Sequence, residues 1–250
     1  MLYRVTAITL LLVAFGAGGC SDDITCPDAD DAAARPSIRA FVRQTTLGSP
    51  ATTATITVGA DPVPSLLIAS VNYRDFGEPE LIDGPLLRAT MEEEQVVWQP
   101  GTPCTLRVST DSGFARAPAV VPEAASVSAP ATVSLGDSLA LHWSLSADAD
   151  YYAVRAVVRS GPDSLVIETT TVDTSLVIAA QDLSMTGELA GVVSAVSGPL
   201  PAQGSSGNVT GEGWGFFSVS YETGDSSFEV EVVGSSRIAW SYGAGALPLR

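Results

Sequence analysis

The strongest constraint on this chain is a two-residue alternation of apolar and polar side chains. It recurs in short runs from Pro36 onward, with no stretch of helical period between them. Ile38, Ala40 and Val42 alternate with Ser37, Arg39, Phe41 and Arg43. ATTATITVGADP follows, with Thr55, Ile56, Thr57 and Val58 in largely β-branched succession, and then SLLIASVNY. Successive side chains of a strand point to opposite faces, so each run has one face to bury and one to solvate. Gly84-Pro85 punctuates before LLRATMEEE. Cys104 to Val108 alternates, and STDSGFARAPAVV reads as a hairpin with Asp111-Ser112-Gly113 at its turn. Six short strand candidates predict a β-sandwich over residues 36–122.

Val121-Pro122 and Ala129-Pro130 bracket a boundary, after which the same grammar restarts. Leu139, Leu141 and Trp143 alternate with Ala140, His142 and Ser144, and Tyr152, Val154, Ala156 and Val158 share one face of the next run. SLVIETTTV, SLVIAAQDLS, GELAGVVSAVSG, a Gly/Pro/Ser loop and GWGFFSVSYE complete the series. Phe228, Val230 and Val232 alternate with Glu229 and Glu231, and Gly224-Asp225 predicts a hairpin joining that strand to GFFSVSYE. The order of a Trp-bearing strand, a Tyr-bearing strand and a leucine-centred turn at Leu183 resembles a fibronectin type III-like or immunoglobulin-like domain. A departure is Leu189, where the family prefers a tyrosine. The expectation is an all-β chain with two tandem sandwiches, 36–122 and 123–233. A C-terminal strand and tail over 234–250 would follow, with Arg237 to Tyr242 as the strand.

The N-terminus carries a different signal. MLYRVTAITLLLVAFGAGGC has one early charge, Arg4, then an uncharged aliphatic run, two glycines and Cys20. This is the order of an export signal, and the run is shorter than the ~20 apolar residues of a membrane span. It resembles the lipobox of bacterial lipoproteins, with Ala17 where that family usually has Leu. The resemblance implies removal of residues 1–19, acylation of Cys20 with palmitate-type chains, and a lipid-anchored place in the cell envelope. The outer membrane is expected if the host has one. Residues 20–35 then read as a solvated acidic tether bearing Asp22, Asp23, Asp28, Asp30 and Asp31. With Cys20 assigned to lipid, Cys26 and Cys104 remain in an oxidising compartment, and a disulfide between them is expected. Two free thiols, or Cys26 pairing between molecules, are the rival arrangements.

Formal net charge is −16, all twelve basic residues are Arg, and Lys is absent. Nucleic acid is not an expected partner, because its phosphates need clustered cations. No cofactor or metal is expected: there is no CxxC and His142 is the single histidine. His142 alternates with Leu141 and Trp143, so it points away from them. No GxSxG elbow is present. Glu92, Glu93 and Glu94 cannot share one strand face, and Asp148 and Asp150 read as turn residues. The glycines around Trp214 read as a bulge or close backbone approach, and Asn208-Val209-Thr210 is formally a glycosylation sequon. Among Trp214, Phe216, Phe217 and Tyr221, core packing is the favoured role.

These features predict a non-enzymatic envelope lipoprotein that displays sandwich modules for protein interaction or acts as a structural spacer. The alternative is a carbohydrate-binding lipoprotein that contacts glycans through exposed aromatics, Trp98 and Trp214. A hydrolase built on carboxylates paired in space is the third class.

Overall fold

A computed structural model describes residues 35–234 except 83, 112 and 202–205. The expected signal peptide, Cys20, the tether with Cys26, and the strand at 237–242 with Trp240 lie outside the described residues. The described chain is all-β. Its first strands are β1 (Ser37–Thr45), β2 (Ala51–Gly59), β3 (Leu67–Val71), β4 (Arg74–Asp75), β5 (Glu80–Leu81), β6 (Leu86–Glu94), β7 (Pro103–Thr110) and β8 (Gly113–Val120). Next come β9 (Val127–Ser128), β10 (Thr132–Ser134), β11 (Leu139–Trp143), β12 (Tyr151–Ser160), β13 (Asp163–Thr171), β14 (Ser175–Ile178) and β15 (Gly187–Ser197). β16 (Thr210–Gly211), β17 (Trp214–Glu222) and β18 (Ser227–Val233) close the series, with a 3-10 turn at Gly224–Ser226.

The alternation read from the sequence sets the burial. On β1, Ile38, Ala40 and Val42 are buried while Arg39, Phe41 and Arg43 face out. On β12, Tyr152, Val154, Ala156 and Val158 are all buried, and on β18 so are Phe228, Val230 and Val232. Two hydrophobic cores result. The first packs β1, β2, β6 and β17 against β3, β7 and β8. The second packs β12, β15 and β18 against β11 and β14, with Leu183 fully buried. Inside it, Trp143 and Tyr152 meet edge-on with centroids 5.5 Å apart. The Tyr152 hydroxyl accepts the Ser146 N–H at 2.9 Å, so a tyrosine from a neighbouring strand holds that loop.

The two cores are not consecutive segments. β17, expected within the second module, pairs in parallel with β1 over nine residues, from Ser37–Trp214 to Thr45–Glu222. Its Phe217 and Val219, and Val209 just before it, belong to the first core. The contiguous second module at 123–233 therefore needs correction. The chain enters the second core after Val121, returns to the first after Ser197, and crosses again through the 3-10 turn to β18. The hairpin expected at Gly224-Asp225 is likewise absent, because β18 pairs with β15 and β10 rather than with β17. One sheet runs through both cores. β15 pairs with β18 at its start, through Gly187–Val192, and with β17 at its end, through Ala195–Ser197.

The glycines beside Trp214 serve this crossing. Gly215 has φ +138°, and a Cβ there would collide with the Ile38 carbonyl oxygen. Asn208 closes the crossing segment. Its Nδ2 donates to the carbonyls of Pro118 and Phe217, both at 2.9 Å, and its Oδ1 accepts the Phe217 N–H at 2.8 Å. The amide of the formal sequon is thus used as a backbone clip.

Candidate functional site

The five-stranded sheet, in the order β16-β8-β7-β3-β4, buries one face in the first core and exposes the other. The hairpin register places Arg107 of β7 opposite Arg116 of β8. Both are exposed, as the in–out alternation of their strands requires. Cross-strand partners have Cα atoms about 4.5–5.5 Å apart, and like charges at that spacing destabilise a sheet. Elsewhere the fold sets opposite charges across strands. Arg88 faces Glu80, with Nη2–Oε1 at 2.5 Å, and Arg155 faces Glu168, with Nε–Oε1 at 3.0 Å. Glu188 faces Glu231, but Arg159 lies opposite it on the other side. The Arg107–Arg116 row continues into Ser70 of β3 and Thr210 of β16, so hydroxyl residues flank the two cations. Among the described residues neither arginine forms an ion pair.

A third side chain completes the row. β3 and β4 are joined by the two-residue turn Asn72-Tyr73, with both residues at positive φ, +50° and +65°. Such a turn favours Asn or Gly, and a bulky aromatic at left-handed φ is strained by about 1–2 kcal/mol. Asn72 fixes the turn against β7. Its Oδ1 accepts the Thr105 N–H at 3.0 Å, and its Nδ2 donates to the Pro103 carbonyl at 3.1 Å. Tyr73 is 80% exposed, and the Arg107 guanidinium carbon lies 4.8 Å from its ring centroid. One row along the strands, Ile68 and Phe114 both stand opposite Ser109 and are about half exposed. Two cations, two aromatic rings and one aliphatic side chain thus share a solvated face.

A second feature is a groove of about 500 Å³ at the open edge of the second sandwich, between β13 and β14. Leu165, Ile167 and Leu176 form its apolar floor, and Glu168 and Asp182 stand among its lining. Among the described residues β13 pairs with β12 alone, so its other edge has no ladder partner among them.

The residues singled out in the sequence are dispersed. Cys104 is buried on β7 as a free thiol, and its expected partner Cys26 lies outside the described residues. The strand alternation turns Cys104 inward beside Leu106 and Val108. Burial pushes its pKa up to about 12, against the opposing contact with Asn72 Nδ2 at 3.6 Å. Trp98 is half-buried against the first core, and its backbone N–H donates to Gln44 Oε1 at the far end of β1. Trp214 is 38% exposed and pairs with Ser37 at the near end. These anchors are seven residues apart on one strand, about 23 Å, so the two tryptophans do not form one platform. Phe217 is fully buried, in the core role favoured for it. His142 is exposed and faces Ser175 and Ser128 across the neighbouring strands. Glu92 and Glu94 are exposed on β6, while Glu93 between them is half-buried and lies 3.9 Å from Arg74. Asp150 accepts the Gly198 N–H at 2.7 Å and so ties the start of β12 to the end of β15. Among the described residues no group of three His, Cys, Asp or Glu side chains could hold a metal ion.

Arg107, Arg116 and Tyr73 were not singled out in the sequence. The turn expected at Asp111-Ser112-Gly113 would set Arg107 opposite Ala117, whereas the ladder pairs Thr110 with Gly113 and so brings Arg107 opposite Arg116.

No family model and no curated protein matches the chain. Among solved structures, similar chains include the tandem immunoglobulin domains of titin, at 12% identity and TM-score 0.22 over 76% of this chain and 98% of that one. The FN1–FN3 domains of chicken CNTN1 are similar at 15% identity and TM-score 0.22, over 76% of this chain and 67% of that one.

Proposed function

We propose that the protein is a non-enzymatic, lipid-anchored envelope protein whose two interlocked sandwich cores display an interaction surface. The observation that carries this reading is the outer face of the five-stranded sheet. It combines arginine, tyrosine and phenylalanine, residue types enriched at the energetic centres of protein interfaces. The interlocked cores support a role as a rigid carrier, since a strand shared along one sheet resists independent movement of the halves. The anchor rests on the lipobox-like leader ending at Cys20, and residues 20–35 would act as the spacer.

Two measurements test the reading. Cys20→Ser should move the protein from the membrane to the soluble fraction; unchanged membrane association contradicts the anchor. Proximity crosslinking in the native envelope should join the anchored protein to a recurring partner protein. Turnover of a glycan or peptide by the purified protein, lost on changing a carboxylate, would overturn the non-enzymatic assignment. Carbohydrate binding through Trp98 and Trp214 is the alternative. The fold sets the two at opposite ends of β1, so each would act as a separate glycan contact.

A further inference from the structure

We propose that the outer face of the five-stranded sheet docks an extended segment of a partner protein, with a carboxylate of that segment seated across Arg107 and Arg116. This inference rests on the reading of the protein as an interaction module and names the surface and the partner chemistry. Three independent features of the face point the same way.

The first is charge. In a chain of net charge −16, two of the twelve arginines stand opposite each other, and among the described residues no acid is paired to either. A carboxylate between them relieves their mutual repulsion and accepts hydrogen bonds from both guanidinium groups, the arrangement in which Arg is strongest. The second is strain. Tyr73 occupies a left-handed turn position that disfavours it, yet its ring is almost fully solvated and extends the face beside Arg107. Strain kept at a solvated aromatic has no return in core packing, and strain of this kind gathers at binding sites. The third is spacing. Phe114 and Arg116 are two residues apart on β8, about 6.8 Å, as are Ile68 and Ser70 on β3. An extended segment lying along the strands repeats its own side chains at that spacing. An acidic residue over the arginine pair therefore brings the residue two positions away over Phe114 and Ile68. The face fits the pattern acidic–any–apolar. Ile68 favours a peptide over a glycan, because an aliphatic side chain offers no flat surface for a sugar ring.

The test uses the full-length protein and two labelled ten-residue peptides built on the repeat Glu-Ser-Leu-Ser, one of them with Gln in place of Glu. Fluorescence anisotropy should show the Glu peptide binding about tenfold more tightly than the Gln peptide, and the Arg107→Glu/Arg116→Glu variant should lose that preference. Tyr73→Gly should weaken binding while leaving the melting temperature unchanged or raised, and Arg155→Glu, on a different sheet, should leave binding unchanged. Equal binding of both peptides, or Glu-peptide binding that survives the double charge reversal, overturns the proposal. So does failure of the Glu peptide to bind where polygalacturonate binds, which would assign the face to an acidic glycan. Preferential binding of SDDITCPDADDAAAR would assign it to the chain's own acidic leader. A concentration-dependent dimer abolished by the double reversal would assign it to a second copy. Repeating the envelope crosslinking with the double-reversal variant separates the two levels. Partners retained by that variant leave the interaction reading intact and remove this surface from it.

Discussion

Arg43 and Glu222 bind across the parallel β1–β17 ladder, with Nη2–Oε2 at 2.7 Å and Nε 3.1 Å from each carboxylate oxygen. The Glu222 carboxylate is almost wholly buried, and Ser194 of β15 donates its hydroxyl to Oε1. One carboxylate thereby joins the opening strand of the first core, the strand that returns to it, and the long strand of the second. Replacing Arg43 with Ala leaves that carboxylate buried with a hydroxyl for a partner. The loss should be about 1–3 kcal/mol, below the usual cost for a fully buried pair because Arg43 is half exposed. Urea unfolding with an unchanged slope should report it. Arg88→Ala, which breaks the exposed pair with Glu80, should cost well under about 1 kcal/mol.

The crossing segment should be intolerant at Gly215. Its φ of +138° and the nearby Ile38 carbonyl leave no room for a Cβ. Gly215→Ala should destabilise by about 2–4 kcal/mol through strain and displaced backbone. Gly224 faces open space, so Gly224→Ala should shift the thermal midpoint little.

Function and stability should oppose each other at Arg116. Arg116→Ser removes a like charge placed directly opposite Arg107 and should stabilise the fold by about 0.2–1 kcal/mol, while weakening Glu-peptide binding. A clear loss of stability would show that the arginine pair braces the sheet.

The buried thiol makes the fold sensitive to alkali. Cys104 ionises near the ordinary thiol value of 9.0 when unfolded, but burial holds it up to about 12 when folded. Below pH 9 the thiol is protonated in both states and its contribution is constant. Between pH 9 and about 12 the unfolded chain releases this proton and the folded chain keeps it, so stability falls as pH rises. The fall should be shallower in Cys104→Ala. Reductant should leave the unfolding midpoint of the native protein unchanged, as expected for a free thiol.

Local alternation made most strand faces legible in advance, because burial of a period-2 pattern depends on neighbours two residues away. Ile38, Val154 and Phe228 all point where that pattern sends them. The destination of β17 was not legible. GWGFFSVSYE has an apolar face that either core could bury, and the choice lies in pairing with a strand over 170 residues away. The nearest local hint is the run of glycines around Trp214, which marks close approach without naming the approaching strand. The Arg107–Arg116 pair was missed by one residue, because the expected turn included Gly113, which the ladder pairs with Thr110. The exposed role of Tyr73 was not legible, since SLLIASVNY reads as continuous strand until the turn at Asn72-Tyr73 is seen.

Whether the two cores are one interlocked body is tested most directly by a fragment of residues 35–122, which holds every strand of the first core that precedes the second. Without β17 this fragment lacks one of the two ladder partners of β1 and the Phe217 and Val219 side chains of its core. Far-ultraviolet circular dichroism and thermal melting should find it unfolded, with cooperative folding recovered when a peptide spanning residues 206–223 is added. A fragment that melts cooperatively by itself, with a midpoint matching the full chain, would contradict the interlocked arrangement.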